Sequence, residues 1–176
     1  MKTSKVFLML LMAAGIFTSG CDELLSDLLK FDSEWYPMEF TIDPSDTVGD
    51  LVFTTEEFDA NIDSVLSANG VSQENLRSVR VSDARFTILT RGYTFDPVTR
   101  VELFIETPTL GSTRLAWLDT VPRGVTMIEL DLNMDDLQDY LLEDKFTLTA
   151  MGTLASKVNQ TIDLLAKIRF ILQGGL

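Results

Sequence analysis

Along residues 162–172 every second residue is apolar: Ile162, Leu164, Ala166, Ile168, Phe170 and Leu172 recur at a spacing of two without a break. A helix of 3.6 residues per turn would scatter these six side chains around its circumference, whereas a strand sets them all on one face. The chain must therefore build a sheet with at least one buried face. Only Lys167 and Arg169 serve there as basic deterrents to edge-to-edge pairing, so so long and regular a strand belongs at the centre of its sheet, with a neighbour on each side.

The same period recurs upstream. Met38, Phe40 and Ile42 alternate with Glu39 and Thr41, and Asp43-Pro44-Ser45-Asp46 then turns the chain, because proline presets φ and the aspartates accept from neighbouring amides. A short strand is expected over residues 50–54. Residues 77–90 read as one long strand in two phases, Val79 and Val81 on one parity and Ala84, Phe86 and Ile88 on the other. The phase change at Ser82-Asp83 predicts a β-bulge, where one extra residue flips the inward face. Further strands carry Val101, Leu103 and Ile105, then Trp117 within residues 114–118, then Ile128, Leu130 and Leu132, then Phe146, Leu148 and Ala150.

Two short helices interrupt this series. Thr55 precedes Glu56 and Glu57 in the first turn of one, with Phe58, Ile62, Val65 and Leu66 along one side and Asn69-Gly70 at its end. Asn133 is placed to cap the other, with Asp135 and Asp136 in its first turn, Met134, Leu137 and Leu141 on one face, and an end near Glu143-Asp144. Seven or eight strands with two short helices suit a mainly β fold, an antiparallel two-sheet sandwich, immunoglobulin-like or related, occupying residues 35–176 as a single domain.

The first residues follow different rules. Lys2 and Lys5 are followed by a run of twelve apolar or small residues from Val6 to Phe17, and Thr18-Ser19-Gly20 leads into Cys21, the one cysteine of the chain. Twelve residues fall short of the ~20 that cross a hydrocarbon core as a helix, so residues 1–20 read as a removable signal peptide. The segment Thr18-Ser19-Gly20-Cys21 resembles the lipobox of bacterial membrane lipoproteins, with Thr18 where that class commonly carries an aliphatic residue. The resemblance implies diacylglycerol transfer to the Cys21 thiol, cleavage after Gly20 and acylation of the new amino terminus. The alternative is an ordinary secretory signal that ends beside a cysteine. With acyl chains on Cys21, attachment to a bilayer needs no apolar surface on the folded domain, since two chains already suffice for stable anchoring. The resemblance implies residence in the bacterial cell envelope, at the outer membrane in preference to the inner, with the domain in the periplasm or at the cell surface. Residues 21–34 form the anchor and a short tether, in which Leu24, Leu25, Leu28, Leu29 and Phe31 line one side of a short helix expected to dock on the domain.

Charge and residue types limit the chemistry. The formal charge is −13, and the leader contributes two lysines and no acid, so the mature chain is more acidic still. Such a field repels phosphate backbones, which disfavours nucleic acid as a partner, and also disfavours a basic lipid-binding face. There is no histidine, and Cys21 is committed to the anchor, which removes Ser-His-Asp and Cys-His catalysis and the usual zinc ligands. Asp131, Asn133, Asp135 and Asp139 stand at positions 1, 3, 5 and 9 of a calcium loop, but Asp136 and Leu142 occupy the places of its Gly and Glu, so a strand end followed by an acidic helix cap accounts for them. Glu102, Glu106, Glu129 and Asp163 alternate with core residues and read as the solvated face of a sheet. No cofactor or metal is implied. The first reading is a non-catalytic interaction or structural module with a protein or glycan partner. A binder of a small ligand or glycan in a groove lined by Trp35, Tyr36, Tyr93, Phe95 and Trp117 is the second, and a hydrolase using paired carboxylates is the third.

Overall fold

A computed structural model describes residues 29–175, and Cys21, the signal peptide and residues 22–28 of the tether lie outside the described residues. Among the described residues ten strands form two antiparallel sheets packed face to face. One sheet contains β1 (Lys30–Asp32), β2 (Tyr36–Ile42), β4 (Leu76–Ile88), β7 (Met127–Glu129) and β10 (Ile162–Gly174). The other contains β3 (Gly49–Asp59), β5 (Val98–Thr107), β6 (Gly111–Leu118), β8 (Asp131–Leu132) and β9 (Lys145–Leu154), in the order β3-β9-β5-β6-β8.

The pairs β2 with β10, β3 with β9, β4 with β7 and β5 with β6 are nested one inside the next, as if a single long hairpin had been rolled up. Contacts β10 with β4 and β9 with β5 close the roll. This is the order of a jelly roll, the related form of sandwich rather than the immunoglobulin arrangement. As its alternation requires, β10 is central, flanked by β4 on one side and by β1 and β2 on the other. Its six alternating apolar residues are buried, together with Met38, Phe40 and Ile42 of β2. The bulge falls where the phase changes: Val81 pairs with Phe170 and Asp83 with Arg169, which leaves Ser82 as the extra residue, and buried positions switch from Val79 and Val81 to Ala84, Phe86 and Ile88. Phe86, Phe95, Phe146 and Phe170 are completely enclosed in one continuous core, each contributing about 1.5–3 kcal/mol by removal from water.

Several local expectations are corrected. Residues 55–59 are strand, not the first turn of a helix, because Thr55, Glu57 and Phe58 pair across to Thr149, Thr147 and Phe146 of β9; the helix α1 is only Ile62–Ala68, opened by Asn61 at φ 48°. It ends at Asn69-Gly70 as expected, with Gly70 at φ +70°. Lys30 to Asp32 belong to β1, not to a helix reaching Phe31, because they complete the edge of β10; the folded body therefore begins upstream of Trp35. The alternation at Ile128, Leu130 and Leu132 is not one strand. Leu130 still bonds to Ala84 of the first sheet, while Asp131 pairs with Trp117 and Asn133 bonds to Leu115 of the second, so the chain changes sheets there. The second helix, α2 (Gln138–Leu142), starts later than Asn133 predicts. Asn133 closes a turn on Asp135 (3.0 Å), Asp136 accepts the amides of Gln138 (3.1 Å) and Val79 (2.9 Å), and Met134 is exposed rather than packed beside the buried Leu137 and Leu141.

Candidate functional site

Three clefts adjoin at the end of the sandwich where β2 begins, β3 ends and β9 begins. The first, of about 540 Å³, is lined by Glu34, Trp35, Tyr36, Glu57, Phe58 and Asp59, with α1 closing it. A second, of about 430 Å³, shares Asp59 and Asn61 and adds Asp63, Glu143 and Asp144; a third, of about 260 Å³, joins Glu57 to Glu106 and Lys145.

The floor of the first cleft is rigid for identifiable reasons. Tyr36 follows the inward parity of β2, and its ring meets Phe146, Phe58 and Phe170 edge-on at 5.1, 5.5 and 5.7 Å between centroids. Its hydroxyl donates to the Ala60 carbonyl at 3.1 Å. Burial, and after it the field of Glu34, pushes the phenol up to about 12, so the ring is neutral and donating at any ordinary pH. Trp35 faces outward between two guanidinium groups, Arg85 at 4.7 Å and Arg169 at 4.8 Å from the ring centre. Those arginines are held in turn, Arg85 by Asp83 and Arg169 by Asp32 at 3.0 Å.

The rim is anionic. Lys145 donates to Glu57 at 2.5 Å, and the bonded Glu57 carboxylate, with Asp59 beyond it, holds the ammonium above the ordinary lysine range. Glu143 accepts from the Thr109 hydroxyl. A surface of carboxylates around aromatic and aliphatic walls is suited to receiving cationic side chains, whose apolar stems and charged ends match the two kinds of lining.

Of the five aromatics expected along one groove, Trp35 and Tyr36 line this cleft and the other three are elsewhere. Phe95 is buried in the core, Tyr93 donates to Asn159 at 3.0 Å, and Trp117 lies on the outer face of the second sheet beneath Arg114, 4.2 Å from its ring centre. The calcium-loop residues take other roles: Asp131 is in β8, Asn133 also donates to the Arg114 carbonyl at 2.9 Å, and Asp139 is in α2. Among the described residues no three acids are grouped to hold a metal ion. Glu106, Glu129 and Asp163 are exposed as expected, but Glu102 is largely covered by Arg100 (2.6 Å) and Arg114 (2.9 Å), which converge on one of its oxygens. Glu34, Glu57, Asp59, Glu143 and Asp144 were not marked as a group by the sequence, since only the nested pairing brings them to one end.

No family model matches the chain, and no curated protein matches it. Among solved structures it is similar to a chain of Desmodium yellow mottle tymovirus, at 16% identity over 84% of this chain and 89% of that one, with a TM-score of 0.29. A chain of Cocksfoot mottle virus is similar at 12% identity over 84% and 85%, with a TM-score of 0.24. At these scores the likeness carries no argument about fold or function.

Proposed function

We propose that the protein is a lipid-anchored lipoprotein of the bacterial cell envelope, whose jelly-roll domain acts as a non-catalytic interaction module. The observation that carries this reading is the filled interior. Four phenylalanines and the six apolar residues of β10 are buried between the sheets, and among the described residues the three clefts open at one end of the sandwich, which supports recognition at the surface. The position of Leu29 supports the anchoring half. Its carbonyl accepts from Gly174 at the end of β10, so the eight residue steps from Cys21 to Leu29 would span at most about 29 Å and hold the domain close to the bilayer. Attachment through acyl chains uses no surface of the folded domain itself, which leaves its faces away from the tether available to a partner.

Detergent-phase partitioning of Cys21→Ala tests this. The unaltered protein is expected in the detergent phase and the variant in the aqueous phase with its fold intact, because Cys21 precedes the core. A variant that has lost residues 1–20, as its intact mass shows, and still enters the detergent phase would show that acylation is not the anchor.

A further inference from the structure

We propose that the free edge of β3 is a strand-addition site for an extended, Lys- and Arg-rich segment of a partner protein, a reading that rests on the interaction-module function above. Among the described residues β3 has one hydrogen-bonded neighbour, β9, and so presents unpaired amides and carbonyls along its outer side. The other edges are short or blunted. β1, β7 and β8 have two or three residues, β6 is partly covered by β8, and β2 carries Pro37, which has no amide hydrogen to offer. β3 runs eleven residues with no proline and no lysine, and past the irregularity at Phe53 its pairing is regular from Thr54 to Asp59.

The charge of the edge selects the occupant. Asp50, Glu56, Glu57 and Asp59 lie on β3, which has no basic residue of its own. A second copy paired through this edge would set acids against acids, and residues 22–28, with Asp22, Glu23 and Asp27, would do the same. Like charges across a strand pair are destabilising, whereas a strand bearing Lys or Arg is attracted. The first cleft supplies the anchor point. It places Glu34, Glu57 and Asp59 beside Phe58 at the end of the strand, three carboxylates against the single ammonium of Lys145 that bonds Glu57, so a long side chain can lay its stem on the Phe58 ring and its charge among the acids. Val52, more than half exposed, offers an apolar contact further along. In this mode main-chain bonds give affinity and alternate side chains give specificity.

The test uses the full-length protein in detergent micelles and a ten-residue acetylated peptide of alternating Lys and Thr. The expected result is saturable binding that slows amide hydrogen exchange within residues 49–59. An N-methylated version of the peptide keeps the charges but has no amides to donate, and should bind at least about tenfold more weakly. Glu57→Lys combined with Asp59→Lys, shown by thermal unfolding to remain folded, should weaken the Lys-Thr peptide by about tenfold and admit a Glu-Thr peptide instead. Equal binding of the methylated peptide, indifference to the charge reversal, protection in another segment, or self-association through residues 49–59 without peptide binding would each overturn the proposal. Binding is read on purified protein whether or not Cys21 is acylated, so this proposal and the anchoring reading fail separately.

Discussion

Ile168 has no exposed surface, while Lys167 lies on the opposite face of β10 between Pro37 and Arg85. Ile168→Asp should therefore destabilise by several kcal/mol, since it removes packed methyl groups and buries a charge together, and Lys167→Asp by about 0.5 kcal/mol or less; denaturant unfolding compares them directly. Equal losses would mean that both faces of β10 are buried. Gly152 has a different reason to be fixed. A Cβ there would sit 2.4 Å from the Phe53 ring and 2.6 Å from the Arg100 carbonyl, and the carbonyl belongs to the neighbouring strand and cannot step aside. Gly152→Ala is expected to cost about 1–3 kcal/mol in the same measurement. Tyr36 makes a pH-dependent contribution with a definite sign. Its phenol ionises at about 10 when unfolded and about 12 when folded, so between these values the unfolded chain loses a proton that the folded chain keeps, and stability falls as pH rises. Tyr36→Phe should lose that slope between pH 10 and 12 while also losing the bond to Ala60. The burial of Ile168 was legible from parity alone. The constraint on Gly152 was not, because it comes from β5 and β3, two strands far away in the sequence.

Among the elements, β10 is the one on which the first sheet is threaded, with pairing to β1, β2 and β4. Removing residues 168–176 should prevent cooperative folding, read as loss of the sheet signal in circular dichroism. Strands whose two faces differ were legible, and so was the bulge at Ser82, because a change of phase can be read from side-chain types alone. The end of β3 was not. Thr55, Glu56 and Glu57 make a plausible helix start by local propensity, and what overrides it is a cross-strand partner for each of them on β9. The same holds for β7 and β8, where one unbroken alternation serves two sheets because the chain crosses between them at Leu130. Local pattern specifies which face is buried, and it does not specify the sheet that buries it.

The whole molecule is acidic, but its acids are not evenly useful. The nested pairing gathers Glu34, Glu57, Asp59, Glu143 and Asp144 from three stretches of chain to one end, beside Trp35 and Tyr36, and no spacing in the sequence announces that grouping. The single continuous core predicts one cooperative unfolding transition; two resolved transitions in calorimetry would contradict it. The central claim, that this domain is delivered to a membrane and held there through Cys21, is tested most directly by the intact mass of the protein extracted from its native envelope. The account predicts a chain beginning at Cys21 whose mass exceeds that of its residues by a diacylglycerol group and one further acyl chain. A chain beginning elsewhere, or one beginning at Cys21 with no added mass, would contradict it.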